Sequence, residues 1–246
     1  MNLQMQIKAL AKQLGLSNLA TTTTVFTLEK GSFEDYLIKC LTEEVMYREK
    51  KSHERRLKQA QLPSLKTLED FDTTTGAGIT DWQINQLSTL SWIDGIYNII
   101  FLGPPGTGKT HLALALGNKA VQAGYKVFYT SVDNLIHILK TQEISIKSSA
   151  RLKWIRDCDL VIIDDLGYLP LSRVETNMFF RLVSGLYENT SIIITSNKDF
   201  EGWAEMLGDS ALVTALLDRI THQCQVIGLS GDGYRRANHK DIFVSQ

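Results

Sequence analysis

Three cysteines in 246 residues, Cys40, Cys158 and Cys224, are far apart and form no CxxC pair. That spacing argues against a zinc site or a disulfide framework and fits a reducing compartment. No apolar stretch approaches the ~20 residues needed to span a bilayer. The N-terminus MNLQMQIKALAKQLGL has no continuous apolar core of the secretory kind. The expectation is a soluble cytoplasmic protein without a membrane partner. There is no internal repeat, and His111, His137 and His222 show no metal-ligand spacing. What the chain does have is a globular balance, with 43% apolar and 22% charged residues. Its length allows one or two domains with full cores.

A net charge of -1 conceals two opposite halves. Residues 1–66 carry 11 Lys/Arg against 7 Asp/Glu, and residues 67–246 carry 15 against 20. Leu3, Ile7, Leu10 and Leu14 recur at helical spacing. A longer helix is expected from Ser32, with Asp35 three residues on as in a capping box. Its apolar face, Phe33, Tyr36/Leu37, Cys40/Leu41 and Val45, fades into the basic run at 48–58, and Pro63 ends it. The polar stretch 67–80 reads as a linker. The expected organisation is a helical domain at 1–66, the linker at 67–80 and a larger domain at 81–246.

Beyond residue 81, short apolar runs alternate with helical patterns. Strands are expected at Tyr97–Leu102, Lys126–Thr130, Leu160–Asp164, Ser191–Ser196 and Gln225–Leu229. Helices are expected around 109–123, 133–140, 148–156, 173–187 and 210–222. Such alternation predicts an α/β fold with a five-stranded parallel sheet covered by helices on both faces.

Residues 103–110, GPPGTGKT, form a complete phosphate-binding loop between a strand and a helix. Gly103, Gly106 and Gly108 let the backbone N–H groups, with those of Thr107 and its neighbours beside Pro104 and Pro105, close around phosphates. Lys109 reaches the β/γ oxygens, and the Thr110 hydroxyl suits Mg²⁺. LVIIDD at 160–165 is an apolar strand ending in two carboxylates. Asp164 is expected to hold Mg²⁺ opposite Thr110, and Asp165 to orient or deprotonate the attacking water. Together the two motifs predict a nucleotide triphosphatase. Asn197, at the end of SIIITSN, can hold that water. Arg219 lies beside an apolar helix face and suits an arginine finger reaching a neighbouring subunit's γ-phosphate. Arg235 is a candidate for contacting phosphate within the subunit, with Arg236 the alternative. A second basic segment holds Lys140, Lys147, Arg151, Lys153 and Arg156, which can meet the backbone of duplex DNA without reading bases.

With these residues in view, the sequence resembles the AAA+ ATPases of the IstB/DnaC-like family. The likeness runs over nearly the whole chain, through IKALAKQLGL, KTLEDFD, GPPGTGKTHLALALG, LVIIDDLGYLP, IIITSNKDFEGWAEMLGD, ALLDRITH and GYRR. It implies ATP and Mg²⁺ as cofactors, a P-loop AAA+ core, and ATP-dependent self-assembly as a homo-oligomer on duplex DNA. It further implies DNA remodelling and recruitment or stimulation of a partner transposase, with a replicative helicase loader as the alternative. By this resemblance Asn197 matches sensor 1, Arg219 the arginine finger and Arg235 sensor 2. Two departures stand out: Asp165 where most AAA+ proteins have Glu, and Gly233 before Tyr234 where the family often has Ser. A small-molecule kinase has no evident use for Asn197 and the late Arg219. A nucleotide-switched scaffold would follow if Asp165 cannot activate water.

Overall fold

A computed structural model describes residues 3–21, 33–73, 78–168, 170–208 and 210–230. Two compact units divide within a long helix, Met1–Arg55 and Arg56–Gln246. In the first unit, α1 (Leu3–Gln13) and α2 (Ser17–Thr21) precede α3 (Phe33–Ala60). Ser32, the expected cap of α3, lies outside the described residues. The tie within this unit is electrostatic. Glu44, buried on α3, accepts the amides of Ser17 and Asn18 at 3.0 and 2.8 Å and the Arg48 Nε–H at 2.9 Å. Burial pushes its carboxyl up, but these donors outweigh it and hold the carboxyl below the usual range. Arg48 also donates to the Gly15 carbonyl at 2.7 Å. Much of the apolar face expected of α1 and α3, including Ile7, Leu10, Leu14, Leu37, Leu41 and Val45, is exposed.

In the second unit, α4 (Asp81–Ser88) and α5 (Ser91–Asp94) lead into β1 (Asn98–Leu102), α6 (Lys109–Ala123), β2 (Val127–Ser131), α7 (Val132–Thr141) and α8 (Ile146–Arg156). β3 (Leu160–Leu166), α9 (Arg173–Leu186), β4 (Ser191–Ser196), α10 (Phe200–Leu207), α11 (Ser210–Thr221) and β5 (Cys224–Gly228) complete it. The expected five-stranded parallel sheet is present, in the order β2-β3-β4-β1-β5. Strand alternation sorts the core into two layers. Ile100, Val161, Ile163, Ile192 and Ile194 face α7–α11, whereas Ile99, Phe101, Leu160, Ile162 and Ile193 face α4–α6. Burying each such side chain contributes about 1.5–3 kcal/mol, which is why the strands run apolar throughout.

Local chemistry sets the helix boundaries. Thr80 with Gln83, and Ser172 with Glu175, close capping boxes at α4 and α9, and Asp199 caps α10 through the Gly202 amide. Gly124 ends α6 in the left-handed conformation, φ 105°. The segment after α3 packs along α6, where Asn118 Nδ2 and His111 Nε2 bond the carbonyls of Lys66 and Thr67. The structure adds four short helices to the expected elements, α2, α4, α5 and α10, and β3 continues past Asp164 to Leu166 through a bulge. In that bulge Ile163 pairs with Ile194 and Leu166 with Ser196, so β3 carries one residue more than β4.

Candidate nucleotide site and its relatives

Where β1 ends, Gly103 sits against β5 so closely that a Cβ there would collide with the Leu229 carbonyl. Its φ of 149°, with 89° at Gly106 and 93° at Gly108, is a backbone that only glycine adopts at low cost. The loop Gly103–Gly108 therefore curls back over the strand end and delivers Lys109 as the first residue of α6. Lys109 Nζ is buried and donates to the carbonyls of Gly103 and Pro104, both at 2.7 Å. Thr107 Oγ1 closes on the Pro104 carbonyl at 2.9 Å. An ammonium held in the mouth of a glycine loop, at the positive end of a 15-residue helix, is suited to polyphosphate.

Asp164 is 2% exposed and accepts three hydroxyls. Thr110 donates to its Oδ1 at 3.0 Å and Thr195 to the same oxygen at 2.5 Å, while Tyr129 donates to Oδ2 at 2.8 Å. Burial, together with this carboxylate, pushes the Tyr129 hydroxyl far above its ordinary range, so it remains a donor. The hydroxyl and carboxylate of Thr110 and Asp164 are hard oxygen donors side by side, a set that fits Mg²⁺. In the bulge, Asp165 takes φ 63°, which Asp tolerates better than most residues, and its side chain faces solvent.

Asn197 follows β4 and lies against Gly167, φ 116°, where a Cβ would stand 2.8 Å from Asn197 Oδ1. That oxygen is buried and has no hydrogen-bond partner among the described residues. Thr110, Asp164, Asp165 and Asn197 thus all belong to the strand-end edge that carries the glycine loop. Arg219 does not. It lies at the strand-start edge, in a small cavity lined by Asn98, Ile192, His222 and Gln223. Its Nη1 donates to the Ala215 carbonyl at 2.9 Å, and its guanidinium lies over the Phe180 ring at 4.9 Å. Asn98 ties this edge together, donating to the Ile220 carbonyl and accepting the Ile192 amide, both at 2.9 Å. Arg235 and Arg236 lie outside the described residues.

Of the basic residues from Lys140 to Arg156, Lys140, in the last turn of α7, is paired with Glu175 at 3.1 Å. Lys147, Lys153 and Arg156 on α8 are exposed and Arg151 is half-buried. Sequence reasoning missed Tyr129 and Thr195. The available signal was a hydroxyl side chain within otherwise apolar strands, VFYTS and SIIITS. Among the described residues no cluster of His, Cys, Asp and Glu could hold a metal by itself, and no helix is long and apolar enough to cross a membrane.

A five-stranded parallel sheet with a glycine-rich phosphate loop and an acidic neighbouring strand defines an ATP-binding P-loop protein of the AAA+ type. A solved structure of AMPPCP-bound DnaA from Aquifex aeolicus shares this fold, with TM-score 0.56 and 24% identity over 72% of this chain and 53% of that one. The chain belongs to the family described as IstB-like ATP binding protein, whose profile matches residues 9–241. A Pseudomonas aeruginosa protein named for insertion sequence IS21 and ATP binding is 43% identical over 83% of this chain and 77% of its own length. A Bacteroides fragilis protein of similar name is 38% identical over 96% of this chain and 91% of its own.

Proposed function

We propose that the protein is an ATP-hydrolysing transposition helper that assembles on duplex DNA, remodels it and recruits or stimulates a partner transposase. The observation that carries the reading is the convergence of Lys109, Thr110 and Asp164 on one strand end in a chain whose relatives are named for insertion sequences. Those relatives favour it over the helicase-loader reading. The backbone amides of Gly103–Gly108 and the ammonium of Lys109 bind the phosphates of ATP. Thr110 and Asp164 would hold Mg²⁺, which supplies charge neutralisation at the β/γ oxygens when bound. Asp165 accepts a proton from the attacking water, and Asn197 Oδ1, unpartnered among the described residues, fixes that water's orientation. Arg235, or Arg236, contacts phosphate within the subunit.

Arg219 completes the site of the next subunit. A five-residue strand spans about 16 Å, so the edge holding Arg219 lies roughly a strand length from its own phosphate loop. A homo-oligomer brings the two edges together. Lys140, Lys147, Arg151, Lys153 and Arg156 then meet successive DNA phosphates from several subunits. The helical part at 1–66, with the basic run at 48–58, joined by the linker 67–80 to the ATPase domain 81–246, supplies further DNA or transposase contacts.

The test is a salt titration of duplex binding, with assembly followed by sedimentation in ATP and in ADP. Binding is expected to be tighter in ATP and to involve several subunits. For the wild type, affinity falls steeply with salt, and Lys147/Arg151/Lys153→Ala flattens the slope. An unchanged affinity and slope in the triple variant would remove α8 from the DNA site.

A further inference from the structure

Thr195 is fully buried on β4, opposite the extra residue of β3. Its hydroxyl makes two bonds at once: it donates to Asp164 Oδ1 at 2.5 Å and accepts the Asp165 amide at 2.9 Å. We infer that Thr195 is a positioning residue that couples the two acids of the site and holds the bulge in the conformation ATP hydrolysis requires. The inference rests on the proposed hydrolytic role of Asp165.

A bulge leaves one residue of the longer strand without its regular partner, and a buried amide left unpaired is costly. At Asp165 that amide donates to the side chain of Thr195. The same hydroxyl has one proton, which goes to Asp164. The Asp165 backbone at φ 63° and the Asp164 carboxylate therefore share a single fixed point. Thr110 also donates to Oδ1, but it is the group whose hydroxyl would turn toward a metal ion, whereas Thr195 sits behind the acids in the sheet. Tyr129 touches Oδ2 and, through that oxygen, steadies Asp164 alone. Valine has the shape of threonine without the hydroxyl, so it fills the space and removes both bonds.

The experiment compares Thr195→Val and Thr195→Ser in the full chain, by steady-state ATPase with duplex DNA and by hydrogen exchange of the Asp165 amide. Thr195→Val is expected to lower kcat about 10- to 100-fold, the cost of a misplaced reacting group, with KM for ATP within about twofold. Thr195→Ser keeps the hydroxyl and stays within about threefold of wild type on both parameters. The Asp165 amide exchanges faster in Thr195→Val and stays protected in Thr195→Ser. If the valine variant does not fold, Thr195→Ala against Thr195→Ser makes the same comparison. Wild-type kcat in the valine variant, a serine variant as slow as valine, or an unchanged Asp165 amide overturns the inference. A wild type that binds ATP without hydrolysing it defeats the hydrolytic reading and, with it, the catalytic part of this inference; the amide measurement still decides whether Thr195 holds the bulge.

Discussion

Thr110, on the first turn of α6, donates its hydroxyl to Asp164 on β3 across 3.0 Å, joining residues 54 positions apart in sequence. This bond places the phosphate loop and the acidic strand in one site, and it makes separate predictions for the groups on either side of it.

Lys109→Ala is expected to weaken ATP binding by about 10- to 100-fold or more, the worth of charge-assisted hydrogen bonds to phosphate. Asp165→Asn should keep ATP affinity while slowing hydrolysis by about 10²-fold or more. Fluorescent-nucleotide binding and phosphate release separate the two effects. Wild-type turnover in Asp165→Asn would show that another group takes the proton.

Arg219 rests on its own helix carbonyl and on the Phe180 ring, at the far edge of the sheet from Lys109. Arg219→Ala alone is expected to lose about 10³-fold in ATPase activity, the scale of an arginine finger. Mixing it with Lys109→Ala should restore part of the activity, because some boundaries then join two intact half-sites. Full activity of Arg219→Ala in a dilute, demonstrably monomeric preparation would eliminate action in trans.

Glu175 closes the N-terminus of α9. The hydroxyl and amide of Ser172, at 2.7 and 2.8 Å, and then Lys140 pull its carboxyl down to about 2. A carboxyl lowered on folding stabilises above its unfolded value, near 4.3, and loses that contribution as the pH falls toward about 2. Glu175→Gln should therefore cost about 0.5–1 kcal/mol at pH 7, and the gap from wild type should close below about pH 4. Thermal melting of both proteins from pH 7 to pH 2.5 measures it; a gap that does not narrow means that Glu175 contributes no charge-dependent stability.

Much of the architecture is legible in the one-dimensional pattern because each strand is buried on both faces and reads as an unbroken apolar run. LVII and SIII admit little else, and the order of strands and helices then implies a parallel sheet. The glycine loop is equally legible, since its three glycines, lysine and threonine are contiguous and each acts through its own backbone or side chain. Two of the residues around Asp164 were not. Thr110 is expected opposite Asp164 from the two motifs, but Tyr129 and Thr195 come from β2 and β4, and no local spacing announces that their hydroxyls meet the same carboxylate. The helices α2, α4, α5 and α10 are not legible because four to eight residues are too few for a firm helical period.

Nucleotide triphosphate binding and a parallel sheet both follow from residue types at short spacing along the chain. Which groups stand together is fixed only by packing in the folded chain. Register between β3 and β4 created the bulge that turns Asp165 outward, and the direction of α11 left Arg219 on the edge away from its own phosphate loop. Register and helix direction are set by packing between segments distant in sequence, so they exist only once the sheet has formed.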